Sequence, residues 1–161
     1  MELTTLIDNY LEGPLLLRKA VAGLSQEQLV ARPIPGKWST LEVVCHLADF
    51  EIVCSDRMKR VIAENEPAFS SGDPDLFAAR LAYHDRIAEE ELVLIETIRK
   101  HVARILRTLK AEDFQRRGIH SEAGPLTLET LVQKMTAHIP HHGQFIEEKR
   151  KAMAQQAMAQ Q

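Results

Sequence analysis

Two histidines near the end of the chain have the spacing of a metal-binding pair. The apolar seam of this segment runs through Leu128, Leu131, Met135, His138, His142 and Phe145. On a helix, the two histidines of the seam lie about 40° apart around the axis and roughly 6 Å along it, so both imidazoles can bind one metal ion. A buried imidazole nitrogen without a partner costs about 1 to 3 kcal/mol. Two such nitrogens in successive turns indicate a metal site, although an isolated pair of this spacing is also compatible with buried histidines bonded to carbonyls or water.

A third histidine, His46, is expected to complete the site. It lies at the edge of the apolar stripe of another predicted helix, which must pack in the same bundle. Three neutral nitrogen ligands with an open fourth position resemble catalytic rather than closed structural zinc sites. Three imidazoles suit zinc, nickel, copper and iron alike, so the pattern does not select one divalent metal. A solvent-open pocket beside the ion would favour an enzyme, and a closed ligand sphere would favour a structural role.

Three further residues bear on this site. His141 could replace His142 as a ligand, because a three-residue step from His138 also stays on one helix face; the spacing of the seam favours His142. Asp49, one turn after His46, is either an acceptor for the second nitrogen of that imidazole or a solvated acid. Pro140 lacks an amide hydrogen, so we expect a bend that either turns the pair inward or is a tolerated irregularity.

Four segments with helical periodicity must position these residues. Apolar side chains recur at three- and four-residue steps in residues 3–24, 40–64, 95–109 and 128–145, and no segment has a convincing strand alternation. Ser39 and Glu42 have capping-box spacing at the start of the second segment, with Trp38 placed to pack on Val43. Thr127 is a plausible cap for the last helix. We therefore predict an all-α fold, a four-helix bundle whose interior carries the site.

Shorter features complete the predicted organisation. Ser25 begins a second capping box and a short helical turn, and a separate turn is possible within residues 83–91. Residues 64–74 and 120–125 are rich in Gly, Pro and polar side chains and are predicted to be surface connections. Residues 1–150 are predicted to form one bundle domain, with residues 151–161 as a helical extension or tail.

Composition excludes several functional classes. The 161 residues suffice for one domain, and 20 Lys+Arg against 23 Asp+Glu give a net charge of -3, without the positive field of a nucleic-acid-binding protein. The first residues lack a signal-peptide pattern, and no apolar run is long enough to span a membrane. These features predict a cytoplasmic protein that binds neither nucleic acid nor membrane.

Motifs of other chemistries are missing from the sequence. It contains no dinucleotide-binding, phosphate-loop, serine-hydrolase, Cys-x-x-Cys or His-Glu-x-x-His pattern. Cys45 and Cys54 are nine positions apart on one predicted helix, about 180° around the axis, and so cannot pair with each other. They are more plausible as core residues than as nucleophiles. No separate nucleophile or general base stands out.

The sequence resembles the DinB-like (DinB/YfiT) superfamily. The segment Gly36-Lys37-Trp38-Ser39-Thr40-Leu41-Glu42-Val43-Val44-Cys45-His46-Leu47-Ala48-Asp49 is similar to the helix-two block of that family. Residues 114–118, 124–128 and 137–146, the last containing Ala137-His138-Ile139-Pro140-His141-His142, are similar to its later loop and last helix. The resemblance implies a four-helix bundle with unusual connectivity and a zinc or nickel ion, one per chain, held by His46, His138 and His142.

The resemblance narrows the fold and site more than the reaction. The family includes thiol S-transferases that use low-molecular-weight thiols, proteins called metal-dependent hydrolases, and members without known activity. We therefore expect a metal-dependent enzyme that activates a small thiol or water, or else a non-catalytic metal-binding or dimeric stress-response bundle. A small-molecule substrate and a homodimer are the expected partners. Thiol transfer is favoured over hydrolysis because hydrolysis benefits from a general base.

Overall fold

A computed structural model describes residues 2–159. In chain order its helices and strands are α1 (Leu3–Val21), α2 (Gln26–Val30), α3 (Thr40–Ala63), β1 (Ala68–Phe69), α4 (Pro74–Arg80), α5 (Ala88–Leu106), β2 (Arg117–His120), β3 (Gly124–Thr127) and α6 (Leu128–Ala159). Two 3-10 turns lie at Tyr83–Asp85 and Ala111–Gln115. The 3-10 turn at Tyr83–Asp85 confirms the predicted separate turn ahead of the third long helix. The short helix α4 begins at Pro74, where the predicted connection of residues 64–74 ends.

The four long helices form a bundle, as predicted. α1 packs against α6 and α5, and α3 packs against the same two helices. Consecutive long helices α1 and α3 therefore lie at opposite corners rather than side by side. The bundle core includes apolar residues of all four helices, among them Leu6, Met58, Val102 and Leu131. No described helix is both long and apolar enough to cross a membrane.

The helix that carries His46 begins as the sequence predicts. The Ser39 hydroxyl accepts a hydrogen bond from the Glu42 amide at 3.1 Å, and the Glu42 carboxylate accepts one from the Ser39 amide at 2.7 Å. Trp38 packs on the apolar cluster that contains Val43. At the start of α6, the Thr127 hydroxyl accepts a hydrogen bond from the Thr130 amide at 3.1 Å. These side chains replace missing helical partners and so fix where each site-bearing helix starts.

A small sheet is the main departure from the predicted all-helical secondary structure. β1 pairs in parallel with β2, aligning Ala68 with Ile119, and β2 pairs antiparallel with β3, aligning Gly118 with Leu126. The predicted loop at residues 120–125 is thus the turn of a hairpin. The pairing of β1 with β2 joins residues about fifty positions apart, which a local sequence pattern cannot indicate.

The last helix continues past the predicted domain end. α6 runs without interruption through Pro140 to Ala159, and residues 160 and 161 lie outside the described part of the chain. Arg150 donates hydrogen bonds to the carbonyls of Ala20 and Ala22 at 3.2 and 3.0 Å, and Gln156 donates to the carbonyl of Pro33 at 3.1 Å. The described part of the extension therefore packs against the bundle as a continuation of α6.

A buried ionic network crosses the bundle interior. Arg99 of α5 is fully buried and donates to the Glu51 carboxylate at 2.9 Å and to the carbonyls of Tyr10 and Met135, each at 2.8 Å. The Tyr10 hydroxyl donates to Glu51 at 2.6 Å. Burial raises the pKa of Glu51, and the Arg99 guanidinium opposes that rise. This network connects all four long helices.

Two glycines should respond oppositely to replacement by alanine. A Cβ at Gly118 in β2 would lie 2.4 Å from the Phe69 ring and 2.9 Å from the Pro67 carbonyl oxygen, whereas a Cβ at Gly143 in α6 would contact nothing within 4 Å. We expect Gly118→Ala to destabilise the fold by about 1 to 3 kcal/mol through overpacking. Gly143→Ala should stabilise it by about 0.5 to 1 kcal/mol through helix propensity. Urea unfolding measures both changes, and equal effects of the same sign would contradict this view of the two sites.

Candidate metal centre

Three histidines from two helices lie together inside the bundle. His46 comes from α3, and His138 and His142 lie one turn apart on α6. One nitrogen of each ring lies within 4.8 Å of the corresponding nitrogens of the other two. The Nε2 atoms of His46 and His138 are 3.2 Å apart. The structure thus brings together all three residues that the sequence analysis selected as ligands.

Aromatic rings surround His46. Its ring centroid lies 5.2 Å from that of Trp38 and 4.6 Å from that of Phe50, and the residue is only 4% exposed. Burial lowers the pKa of His46 to about 4 and that of His142 to about 4. Burial, with smaller contributions from His142 and His46, lowers the pKa of His138 to about 3. All three imidazoles are therefore neutral near pH 7, the form that binds metal.

The three side chains suit a divalent ion. Two nitrogens that each lie about 2.1 Å from one tetrahedral ion are about 3.4 Å apart, close to the separation of the His46 and His138 Nε2 atoms. Uncharged imidazoles are the usual nitrogen ligands of zinc, nickel and related metals. The group contains no carboxylate or thiolate, so the ligand set does not favour calcium or magnesium.

Asp49, for which the sequence offered either an acceptor role toward His46 or a solvated position, is buried and bonded to Arg86 instead. Asp49 accepts two hydrogen bonds from Arg86 Nη1, each of 3.0 Å, while Nδ1 of His46 has no hydrogen-bond partner among residues 2–159. The competing partner is the Arg86 guanidinium, which gives the carboxylate an ionic hydrogen bond. The Nδ1 atoms of His138 and His142 also lack partners. Residues 2–159 therefore supply no protein acceptor for these three nitrogens.

His141 lies outside the group of three. It is exposed, and its ring centroid is 5.1 Å from that of His142 and 5.1 Å from that of Phe145. The sequence analysis had kept His141 as an alternative ligand, and the structure places it beside the cluster rather than within it. Cys45 and Cys54 are both free and buried, and Cys45 donates to the Tyr83 carbonyl at 3.5 Å. Burial raises the pKa of Cys45 to about 12, so it is a core residue rather than a nucleophile.

An open cavity adjoins the histidine cluster. It has a volume of about 250 Å³, and His142 forms part of its wall. The remaining lining residues are Ile34, Gly36, Lys37, Trp38, Val43, Asp75, Phe145, Glu148 and Lys149. Trp38 links this cavity, which we call the Trp38 cavity, to the ring of His46. A small molecule in it would lie next to His142 and Trp38.

The sequence analysis did not identify Lys149 as a residue of this cavity. Lys149 is only 3% exposed, although lysine is rarely buried. It lies four residues after Phe145, the last position assigned to the apolar seam of α6. Extending the seam by one more step would have shown a lysine at a core position, which is the same kind of signal that selected the two histidines.

The three clustered histidines should make the free energy of unfolding depend on pH. The pKa of an unfolded histidine is about 6.5, and those of the three clustered histidines are about 4 or about 3, so between pH ~6.5 and about 4 the unfolded chain binds more of these protons than the folded chain. The free energy of unfolding of the metal-free protein should therefore fall as the pH drops from about 7 to about 5. Urea unfolding measures it. His138→Gln should show a smaller fall, exposed His141→Gln an unchanged one, and identical pH profiles for all three proteins would contradict this origin.

Comparisons with known proteins agree with the architecture. A sequence model of the DinB superfamily matches residues 12–146. A protein of Oceanobacillus iheyensis named "Putative metal-dependent hydrolase" is 32% identical over 129 residues, 80% of this chain and 74% of its own. One of the same name from Geobacillus thermodenitrificans is 33% identical over 132 residues, 81% of this chain and 74% of its own.

A solved structure is similar throughout most of its length. YfiT from Bacillus subtilis, described as "a probable metal-dependent hydrolase with an unusual four-helix bundle topology", superposes with a TM-score of 0.88 at 26% identity. The match covers 95% of this chain and 88% of that chain. The placement of α1 and α3 at opposite corners of the bundle is in keeping with that description.

Proposed function

The chain belongs to the DinB superfamily, and on this premise we propose that it is a metal-dependent enzyme with one divalent ion held by His46, His138 and His142. The observation that carries the proposal is the open Trp38 cavity, with His142 in its wall. A structural metal site is usually closed by four protein ligands, whereas a catalytic site keeps a position accessible to substrate. The names of the relatives, which refer to metal-dependent hydrolysis, support the same class of function.

The residues of the site have separable tasks. The three imidazoles, neutral because they are buried or half-buried, would supply lone pairs to the ion. A divalent ion in such a site lowers the pKa of a bound thiol or water and so supplies a nucleophile near neutral pH. Trp38 and Phe50 pack around His46 and limit its motion. The Trp38 cavity holds the substrate beside His142.

Of two candidate reactions, the residues of the site support transfer of a low-molecular-weight thiol to an electrophile better than hydrolysis. Hydrolysis ordinarily benefits from a positioned general base. The acid nearest to His46 along α3, Asp49, is bonded to Arg86 instead. In residues 2–159, no carboxylate forms a hydrogen bond with any of the three histidines. Thiol transfer needs little beyond the ion and a pocket, since the bound thiol is itself the nucleophile. Hydrolysis, the reaction in the names of the relatives, is the second candidate.

One set of assays separates these reactions. Protein purified without an affinity tag is analysed for bound metal, and then supplied with glutathione, bacillithiol or mycothiol and a chloro-substituted electrophile. We expect a metal-dependent rate with at least one thiol that is lost in His46→Ala. A metal-dependent rate only with esters or amides would replace thiol transfer by hydrolysis. Bound metal without either activity would favour the non-catalytic bundle.

A further inference from the structure

Lys149 is a buried cation in the wall of the Trp38 cavity. Its Nζ donates to the Phe145 carbonyl at 3.0 Å and lies 6.0 Å from the centroid of the Phe145 ring. Within residues 2–159 the lysines that form ion pairs are Lys100 and Lys110, so Lys149 has no carboxylate partner. An ammonium group has three N–H donors. Two donors of Lys149 therefore lack a protein acceptor.

Lys149 is only 3% exposed, so an acceptor in the cavity would improve the hydrogen bonding of its ammonium group. Removing an ammonium group from water without pairing it costs free energy. Burial lowers the pKa of Lys149, in the direction expected for an incompletely compensated charge, and the carboxylates of Glu148 and Glu42 oppose that shift. Glu42 already accepts hydrogen bonds from Arg32 and from the Ser39 amide. An anion in the cavity would supply the missing acceptor and favour the charged form of the lysine.

The rest of the cavity indicates the size and polarity of its ligand. A volume of about 250 Å³ is slightly below the range of typical drug-sized pockets. Ile34, Val43, Trp38 and Phe145 give it apolar walls. Its other charged residues, Lys37, Asp75 and Glu148, are all solvent-exposed. The cavity thus combines one buried positive group with an apolar lining.

We propose that the Trp38 cavity binds a small organic substrate through a carboxylate that pairs with Lys149, with the apolar part of the substrate against Trp38 and its reactive end toward His142. The position of the reactive end near His142 rests on the proposed function, whereas the carboxylate site depends on Lys149 alone. A carboxylate suits the site better than a phosphate dianion, because there is one buried cation and the exposed charges of the wall, Lys37 against Asp75 and Glu148, leave an excess of negative charge. Lys149 is thus a substrate-binding residue that sets specificity.

Trp38, the only tryptophan of the chain, makes this binding measurable. The full chain is titrated with phenylacetate and with the neutral analogue phenylacetamide while Trp38 emission is recorded. Both titrations are repeated after removal of metal by chelation, so that binding through the ion is distinguished from binding through Lys149. We expect phenylacetate to bind more tightly than the amide by about tenfold or more, with and without metal, because an ionic hydrogen bond is lost in the amide.

Variants test the role of the lysine. Lys149→Met should remove the preference for phenylacetate over phenylacetamide, and Lys149→Gln, which keeps a donor for the Phe145 carbonyl, should do the same if the first variant does not fold. Lys151→Met removes an exposed charge from the same helix and should leave the preference intact. His138→Ala should lose metal but keep the preference, so failure of the metal proposal is distinguishable from failure of this one.

Several outcomes would overturn the carboxylate site. One is equal affinity for phenylacetate and phenylacetamide in the unaltered protein, or no saturable binding of either compound. Another is a carboxylate preference that disappears when metal is removed, since the ion would then be the anion-binding group. Tighter binding of inorganic phosphate than of phenylacetate, or an unchanged preference in both Lys149 variants, would also contradict it.

Discussion

Replacing His142 with alanine should weaken divalent-metal binding by more than about 100-fold, because one of the three clustered ligands is removed and exposed His141 lies outside the group. Within residues 2–159 the group consists of His46, His138 and His142, and no carboxylate of that range belongs to it. Metal content after dialysis and competition with a chromophoric chelator measure the change. The melting temperature of the unaltered protein should rise with metal concentration, while that of the variant should not.

The matched control is His141→Ala. His141 is exposed and lies beside the cluster, so its removal should leave metal affinity within about threefold of the original, as expected when a neighbour rather than a ligand is altered. His46→Ala should behave like His142→Ala. Full metal content in the His142→Ala protein, combined with its loss in the His141→Ala protein, would reverse the ligand assignment on α6.

Replacing Arg99 with methionine should destabilise the protein by about 3 to 5 kcal/mol, because it leaves the buried Glu51 carboxylate without its cation and two carbonyls without a donor. The Arg99 side chain is fully buried, and its guanidinium bonds to Glu51, to the Tyr10 carbonyl and to the Met135 carbonyl. Urea unfolding at neutral pH measures the loss. The exposed Arg104→Met substitution on the same helix should change stability by less than about 0.5 kcal/mol.

A double variant separates the buried charge from lost packing. In Arg99→Met combined with Glu51→Leu, the unpaired carboxylate is also removed, so part of the stability should return, while the carbonyls of Tyr10 and Met135 stay without a donor. Gly13→Ala should act like Arg99→Met, since its Cβ would lie 2.1 Å from Arg99 Nη1 and must displace the guanidinium. A double variant as unstable as Arg99→Met alone would show that packing, not charge, determines the effect.

Local patterns predicted the helices of this fold well. The capping boxes at Ser25 and Ser39 are confirmed, and α3 spans Thr40–Ala63 where residues 40–64 were expected. These features depend on side chains within a few positions of the helix start. The sheet was missed because its strands are two to four residues long, too short for an alternation to be recognised.

In the candidate site, too, local sequence patterns predicted the positions of side chains but not their contacts with residues distant in the sequence. The periodicity of α6 placed His138 and His142 inside the bundle, since an imidazole at an apolar position is visible in the sequence. The partner of Asp49 was not visible, because Arg86 lies 37 residues away and reaches the carboxylate through the fold. The Trp38 cavity joins residues 34–38 to Phe145 and Lys149, and only the packing of α6 on α3 brings them together.

The long separation between His46 and His138 has a consequence for biosynthesis. The two residues are 92 positions apart, and α1, which is synthesised before α3, packs on α6, which is synthesised after it. At a translation rate of roughly 5 to 20 residues per second, the first histidine is synthesised about 5 to 20 seconds before the second. Throughout that interval the apolar faces of α1 and α3 lack α6. All three histidines would thus be available to a metal ion only after α6 has been synthesised, and until then the apolar faces that it covers would be exposed.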